Sequence, residues 1–326
     1  MTAASFTNIP TKEAATLKGH EGAVLSVRFN YDGKYCLTTG KDRSIRLWNP
    51  HKGLAIKSYL GHGHEVRDVA AASDNGRLAS CGGDKQVFLW DVSTGRIIRR
   101  FRGHDSEVNA VCFNDESSVV VSAGYDRSIR VWDCRSQSAN AIQSLEHFSD
   151  SVTSIALTKS EIVGGSVDGT VRTFDIRHGR VTSDHLGQPV TCISLSNDGN
   201  CILAGCLDST LRLIDRALGD VLNEYRGHTN KSYKLGSCFS NDDADRLPGT
   251  RWHGDRPRIS HGPALSADMF CGWDCQSVDH MSGSKHSTVE LGQLWRQLLL
   301  KEVLHEDKLL LLREQAWRPR EGREHI

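Results

Sequence analysis

The chain has 326 residues, in which 40 lysine and arginine residues balance 40 aspartate and glutamate residues. Because this balance leaves no net positive charge that would attract nucleic acid, we expect no direct nucleic-acid partner. No apolar run reaches the roughly 20 residues of a membrane helix, so we expect no membrane insertion. The N-terminal residues show no secretory signal, so we expect a cytoplasmic protein that also occurs in the nucleus. In these compartments the ten cysteines, which are scattered among apolar runs, are expected to be reduced thiols.

Residues 1–13 are predicted to be a disordered leader. Residues 14–17 precede the first repeat and are predicted to be a short strand. In a ring of blades such a strand would be the outer strand of the last blade and would join the two ends of the ring.

Three successive units, residues 19–60, 61–102 and 103–145, share one pattern. Each begins with Gly-His, continues with three short alternating runs separated by turns, and ends its third run at a tryptophan; Trp48, Trp90 and Trp132 are 42 residues apart. Such runs predict short antiparallel strands. Repeats of about 40–45 residues with these markers are typical of WD40 proteins, whose four-stranded blades surround a channel. The sequence therefore predicts an all-β WD40 β-propeller.

Four residues recur in register within these three units and match the hydrogen-bonded tetrad of WD40 blades. The predicted structural tetrads are His20, Thr38, Asp42 and Trp48; His62, Ser80, Asp84 and Trp90; and His104, Ser122, Asp126 and Trp132. Such a buried network can satisfy the polar backbone of the Gly-His loop and the turn between the second and third strands.

Serine, histidine and aspartate also suggest a nucleophilic triad, which requires one exposed nucleophile beside a base. Here the set occurs three times, once with threonine, in phase with the repeat. A structural brace explains every copy, so we predict no enzymatic activity, no catalytic residues, no cofactor and no metal.

Residues 146–186 and 187–226 form two degenerate units. Glu146-His147 and Leu186-Gly187 stand where Gly-His is expected. Gly164 and Ala204 replace the hydroxyl residue, and Phe174 and Ile214 replace tryptophan, although Asp168 and Asp208 are retained. We therefore expect five blades, the last two braced more by packing than by polar contacts.

A partial sixth unit spans residues 227–244: it begins Gly227-His228 and contains one candidate inner strand at 233–239. Residues 245–326 then lose the pattern, although their length suits about two further blades. The expected complete form is seven-bladed, so this chain is predicted to leave the ring incomplete. Two interpretations of the tail are open. It is either a genuine appended segment, or the product of a changed reading frame or an alternative exon that replaces the last blades. The abrupt loss of the period favours replacement of the last blades.

Two features of the tail suggest structure. Ser287 and Glu290 form a capping box, and apolar residues follow on one stripe, so a helix over 288–304 is predicted that could cover an open blade face or bind a partner. Cys271, Cys275, His280 and His286 resemble a zinc-ligand string, but the four residues between the pairs are too few for a zinc finger.

Partner proteins are expected at the rim of the channel, on the side of the Gly-His loops. The residue before the first valine of each inner strand and the residue before the turn aspartate should point there. Charged and aromatic side chains on a rigid rim suit recognition. The candidate partner-binding residues are Lys41, Glu65, Glu107 and Tyr125; an ordinary solvated rim is the alternative interpretation.

Several stretches go beyond the generic blade pattern, and the chain from about residue 17 to 240 resembles the mitogen-activated protein kinase organiser family of WD-repeat scaffold proteins. The stretches are Val27-Arg28-Phe29-Asn30, Cys81-Gly82-Gly83-Asp84-Lys85, Leu207-Asp208-Ser209-Thr210-Leu211-Arg212-Leu213 and Tyr225-Arg226-Gly227-His228. The resemblance implies a non-catalytic scaffold for the extracellular-signal-regulated MAP kinase cascade that also associates with pre-mRNA splicing complexes. Its expected partners are kinases of that cascade and splicing factors. Residues 245–326 do not match the last blades of the family.

An alternative function has its own motif. Trp132-Asp133-Cys134-Arg135 and Phe174-Asp175-Ile176-Arg177 are similar to the adaptor-docking motif of WD40 substrate receptors of cullin-RING ubiquitin ligases. Arg135 and Arg177 would contact the ligase adaptor in that case.

Overall fold

The computed structural model describes residues 16–196, 198–232, 234–239 and 288–289. Every regular element in this part of the chain is a β-strand, and it contains no helix long and apolar enough to span a membrane. Twenty of the strands form five antiparallel four-stranded sheets, in each of which strands adjacent in sequence are neighbours. These sheets, here called blades one to five, confirm the all-β propeller architecture.

The strands of each blade are named a to d from the inner to the outer one. Blade one contains β2 (Val24–Phe29), β3 (Cys36–Gly40), β4 (Ser44–Asn49) and β5 (Leu54–Leu60). Blade two contains β6 (Val66–Ala71), β7 (Arg77–Gly82), β8 (Gln86–Asp91) and β9 (Ile97–Arg102). Blade three contains β10 (Val108–Phe113), β11 (Val119–Gly124), β12 (Ile129–Asp133) and β13 (Gln143–Leu145).

Blades four and five follow the same order. Blade four contains β14 (Val152–Leu157), β15 (Glu161–Ser166), β16 (Thr170–Asp175) and β17 (Val181–His185). Blade five contains β18 (Val190–Leu195), β19 (Cys201–Cys206), β20 (Thr210–Asp215) and β21 (Val221–Arg226). A separate pair consists of β1 (Leu17–Lys18) and β22 (Thr288–Val289).

The hydrophobic core lies between the blades, because alternate residues of each strand face opposite neighbours. Leu37, Ile45 and Tyr59 of blade one pack against Phe88 and Trp90 of blade two, and all five are at most 1% exposed. The same kind of contact is repeated between blades two and three and between blades three and four. Each blade therefore depends on its neighbours for burial of its apolar faces.

Each inner strand contains a register shift just after its first valine. The pairing skips one residue in β2, β6, β10, β14 and β18, so that Leu25, Arg67, Asn109, Thr153 and Thr191 are the extra residues of β-bulges. A bulge redirects its side chain. In blades two to four the redirected side chains, those of Arg67, Asn109 and Thr153, bond groups of the following blade.

The prediction of a sixth inner strand at 233–239 is wrong for the described residues 234–239. Residues 234–239 form no strand of two or more residues, although the backbone N–H of Ser237 lies 3.3 Å from the Sγ of Cys192 on β18. Ser154 of blade four accepts the N–H of Ile193 in the same way, at 3.2 Å. The segment thus lies beside blade five, where a sixth inner strand would lie, but without the backbone ladder.

Of the helix predicted over 288–304, the structure describes only Thr288 and Val289. These two residues form a strand that pairs with β1. The rest of that helix, the leader 1–13 and the cysteine–histidine string of the tail lie outside the described residues.

Candidate protein-interaction site

The structure brings the four residues of each tetrad together. In blade one, the Trp48 indole donates to Thr38 Oγ1 at 2.7 Å, Thr38 Oγ1 lies 2.7 Å from His20 Nε2, and His20 Nδ1 lies 2.8 Å from Asp42 Oδ2. A carboxylate only accepts, so the proton of the ring is on Nδ1, and Nε2 accepts from the hydroxyl. The hydrogen bonds therefore run in one direction, from tryptophan to aspartate.

Blades two and three repeat this geometry. The histidine–hydroxyl distance is 2.7 Å in both, the histidine–aspartate distance is 2.8 Å, and the indole donates to Ser80 and to Ser122 at 2.8 Å. Thr38, Ser80 and Ser122 are each 0% exposed. Because these hydroxyl groups are buried and engaged on both sides, none of them can reach a substrate as a nucleophile.

The glycine of each Gly-His pair makes room for the tryptophan. A Cβ on Gly19, Gly61 or Gly103 would lie 2.9–3.1 Å from the edge of the Trp48, Trp90 or Trp132 ring of the same blade. No side chain fits there without displacing the ring. The Gly-His signature thus reflects close approach of the loop to the indole.

The pKa values of the tetrad aspartates lie below the ordinary value of an aspartate. Burial alone would raise the pKa of Asp126, but hydrogen bonds from His104 and Ser128 lower it to about 2. In Asp84, burial is likewise outweighed by His62, and its pKa is below the usual range. Each of these carboxylates also accepts the backbone N–H that follows the histidine, at 3.2 Å from Gly63 and 3.0 Å from Asp105.

Blade four replaces the tetrad by aromatic packing. The N–H of Ser149 bonds Asp168 at 3.0 Å, as the N–H of Asp105 bonds Asp126, so Phe148 takes the histidine position. The sequence alignment by period, which put Glu146-His147 there, is therefore wrong. Phe148 packs on Phe174 with ring centres 5.8 Å apart, and its ring edge fills the space that a Cβ on Gly164 would need.

Three of the four predicted rim residues converge on a fifth residue, Arg67. Its guanidinium bonds Glu65 at 3.3 Å, makes a second ion pair with Glu107, and lies 5.0 Å from the centre of the Tyr125 ring. We call Glu65, Arg67, Glu107 and Tyr125 the Arg67 rim. One cation faces two carboxylates, so the rim carries a net negative charge.

The backbone holds this rim in place. The carbonyl of Glu65 accepts the N–H of Gly83 at 2.9 Å, and the carbonyl of Glu107 accepts the N–H of Tyr125 at 2.8 Å. Burial opposes ionisation of Glu65, but its own backbone N–H and Arg67 hold its pKa below the usual range. The side chains of Glu107 and Tyr125 remain 40% and 49% exposed and can contact another molecule.

Lys41 is not part of the Arg67 rim. It occupies the equivalent turn position of blade one, where its N–H bonds the carbonyl of Ala23 at 2.8 Å, and its side chain is exposed. The structure thus places all four predicted residues at the same end of the blades and brings three of them into contact.

The bulge residues, which sequence reasoning missed, connect the rim to the next blades. Arg67 donates to Asn109 Oδ1 at 2.7 Å, and Asn109 donates in turn to the carbonyl of Val152 at 2.9 Å. Thr153 donates to the carbonyl of Val190 at 2.8 Å. Polar residues at this position in four of the five inner strands were the signal that could have identified them.

Arg135 and Arg177 lie at equivalent places in the turns between strands c and d of blades three and four. Each donates its N–H at 2.8 Å to the aspartate two residues earlier, and both side chains are exposed. The same turn occurs in blades two and five with Ser93 and Ala217. The turn is therefore general, and the arginine side chains distinguish these two blades.

Nothing in the described ranges forms a metal centre, since no group of three or more histidine, cysteine, aspartate or glutamate side chains converges there in a geometry that could hold an ion. Burial raises the pKa of Cys36 and Cys112 to about 12, so these thiols stay protonated at neutral pH.

Five four-stranded sheets with three buried tetrads define a WD40-repeat protein, a class of protein-binding scaffolds that are typically not enzymes. The family model "WD domain, G-beta repeat" matches residues 11–49, 53–91, 95–133 and 178–215. Residues 134–177, between the third and fourth matches, include most of blade four, in which aromatic residues replace the tetrad.

The relatives identify the family. WD repeat domain-containing protein 83 of Rattus norvegicus is 60% identical over 235 residues, which are 72% of this chain and 75% of the relative. The Homo sapiens protein of that name is 55% identical over the same shares, and a homolog of Dictyostelium discoideum is 35% identical over 72% of this chain and 81% of its own length. The chain belongs to the WD repeat domain-containing protein 83 family, which confirms the resemblance to the MAP kinase organiser family.

Proposed function

We propose that this WD40 scaffold organises the extracellular-signal-regulated MAP kinase cascade, with the Arg67 rim as a docking site for a partner protein. The observation that carries the proposal is the rim itself. Two carboxylates and an aromatic ring are fixed by backbone hydrogen bonds and by Arg67, yet Glu107 and Tyr125 stay exposed. A preorganised rim loses little conformational entropy when a partner binds.

The test uses charge reversal at two ends of one strand. Glu107 precedes β10, and the exposed Glu116 lies in the turn after it, at the opposite end of the blade. Tagged Glu107→Arg and Glu116→Arg proteins would be used to capture kinases of the cascade, with quantification by immunoblot. We expect Glu107→Arg to lose the kinases and Glu116→Arg to retain them. Equal recovery with both variants would overturn the rim as the docking site.

The assignment to the kinase cascade and to splicing complexes is supported by membership of the family, as the resemblance implies. We further propose that the protein occurs in the cytoplasm and the nucleus, where these two processes take place. Fractionation of cells that express the tagged protein, followed by mass spectrometry of each fraction, tests this. If neither kinases nor splicing factors are recovered, the assignment to the kinase cascade and to splicing complexes is contradicted, whereas membership of the WD40 scaffold class is not affected.

A second candidate function is substrate reception for a cullin-RING ubiquitin ligase. The observation in its favour is that Arg135 and Arg177 are exposed at equivalent turns of neighbouring blades. The double variant Arg135→Asp with Arg177→Asp should lose the ligase adaptor if this function holds. Because neither residue lies in the Arg67 rim, kinase capture by the same variant separates the two functions.

A further inference from the structure

The outer strand of blade two, β9, is the most basic edge among the five blades. Arg99, Arg100 and Arg102 lie on it and Arg96 directly precedes it, whereas residues 96–102 contain no aspartate or glutamate. The outer strands of the other blades carry one lysine in β5, no charge in β13, an aspartate beside a histidine in β17 and a glutamate with an arginine in β21. The basic edge is therefore a property of this blade and not of the fold.

The charges of this edge are not compensated within the protein. No ion pair joins any of the four arginines to a carboxylate in the part of the chain that the structure describes. The guanidinium of Arg100 instead lies 5.1 Å from the centre of the Phe88 ring. The guanidinium of Arg99 donates to the carbonyl of Asp133 at 3.3 Å. A ring face and a carbonyl orient a guanidinium without neutralising it, so the positive charge remains available to an anion.

Arg100 and Arg102 lie on one face of β9, because side chains two residues apart in a strand point to the same side. Both are exposed. The rise of a strand places them about 7 Å apart along its direction, and the same distance separates alternate side chains of any other extended peptide. A neighbouring strand with acidic residues at alternate positions would therefore place one carboxylate opposite each guanidinium, in the geometry that suits a bidentate pair.

The backbone of β9 is open on its outer side. β9 is the last strand of its sheet, and the N–H of Arg102 points away from β8, since it donates to the carbonyl of Ala139 in the loop before β13 at 3.3 Å. Residues two apart direct their backbone groups to the same side of a strand, so the N–H and carbonyl of Arg100 also point outward. Within the described ranges no backbone group pairs with these two. Such an edge can accept an added strand.

We propose that β9 is a docking edge for an extended acidic segment of a partner protein, which adds to blade two as a fifth strand and places carboxylates opposite Arg100 and Arg102. Charge complementarity identifies the segment as rich in aspartate and glutamate. The open backbone favours a peptide over a nucleic acid, whose backbone has no N–H groups for a ladder. Charged residues also keep sheet edges from pairing with one another, but that role does not require four cations of one sign. The edge lies on the outermost strand, and the proposal does not depend on the partner of the Arg67 rim.

Charge reversal tests the arginines. A fluorescein-labelled peptide of five Val-Glu repeats is the probe, and its binding to the full-length protein is measured by fluorescence anisotropy. Arg100→Glu with Arg102→Glu is compared with Arg177→Glu with Arg180→Glu, which makes the same change in net charge at exposed arginines of blade four. We expect the first variant to raise the Kd roughly tenfold and the second to leave it within about twofold. Equal Kd values for the two variants would overturn the proposal. Circular dichroism checks that both are folded.

Two N-methylated forms of the peptide test the strand pairing on the unaltered protein. Methyl groups on every valine or on every glutamate leave the charges in place, but only one of these sets has N–H groups directed at β9. One form should therefore bind roughly tenfold more weakly than the other, because it loses the ladder. Equal affinity of the two forms would rule out strand addition. A single-stranded oligouridine is the comparison: tighter binding than the peptide, lost in Arg100→Glu with Arg102→Glu, would overturn the proposal in favour of RNA.

Discussion

The guanidinium carbon of Arg67 lies 5.0 Å from the centre of the Tyr125 ring, across the boundary between blades two and three. The same guanidinium donates to Asn109 at 2.7 Å, and Asn109 donates to a carbonyl of blade four at 2.9 Å. The exposed ring and the two rim carboxylates are therefore fixed to three blades. This rigidity is the property that a docking site for proteins needs, and it leads to the first prediction.

Replacement of Arg67 by lysine should impair partner capture while leaving the fold intact. A single ammonium group cannot bond Asn109, Glu65 and Glu107 at once as the planar guanidinium does, so the two carboxylates and Tyr125 lose their fixed arrangement. We expect capture of kinases by Arg67→Lys to fall by roughly tenfold, which corresponds to about 1.4 kcal/mol of binding free energy. Arg135→Lys, in an exposed turn outside the rim, is the control. Undiminished capture by Arg67→Lys would show that the arrangement of the rim is not required.

The tetrad of blade one offers an internal comparison, because blades two and three use serine where blade one uses threonine. Thr38→Ser keeps the hydroxyl that joins Trp48 to His20, whereas Thr38→Val keeps the shape and removes it. The valine variant removes the acceptor of the buried Trp48 indole and the hydroxyl that donates to His20, so its free energy of unfolding should fall by about 2–4 kcal/mol. The serine variant should lose less than about 1.5 kcal/mol. Chemical denaturation of both proteins measures the difference, and equal losses would show that the hydroxyl does not stabilise the blade.

In blade four, introducing the hydroxyl residue that blades one to three use should destabilise the protein. Gly164→Ser restores the usual hydroxyl residue, but the Cβ would lie 2.8 Å from Ile129 Cδ1 and 2.9 Å from Phe148 Cζ. No histidine is there to accept its hydrogen bond, since Phe148 occupies that position. We therefore expect a loss of about 1–3 kcal/mol through overpacking. A melting temperature at or above that of the parent protein would contradict this account of the blade.

The difference between blades two and four shows what the sequence could and could not predict. Constant spacing located the tetrads of blades one to three because the intervals between their marker residues are identical, 18 residues from histidine to hydroxyl, four more to aspartate and six more to tryptophan. In blade four, the turn between strands a and b has three residues instead of the five in blade three, while the chain from Asp126 to Phe148 is two residues longer than the chain from Asp84 to His104. The two changes cancel at Asp168, so the period stays intact while the histidine position shifts to Phe148. Arg67 was missed for a different reason: a bulge cannot be recognised in one strand alone, and the polar residue at this position becomes visible only when the five inner strands are aligned with one another.

The last prediction concerns acid stability. The pKa of Asp126 is about 2 in the folded protein, below its ordinary value, because hydrogen bonds from His104 and Ser128 outweigh the effect of burial. A carboxyl group whose pKa is lowered by folding stabilises the fold fully above its unfolded pKa near 4, and this contribution is lost as pH falls toward 2. The unfolding free energy should therefore fall between about pH 4 and pH 2, by about 2 kcal/mol for this residue. In Asp126→Asn that portion of the pH dependence should be absent, whereas Asp115→Asn, in an exposed turn of the same blade, should keep it. Denaturation curves of the three proteins at pH 4, 3 and 2 provide the measurement, and an unchanged slope in Asp126→Asn would refute the assigned role of the tetrad carboxylate.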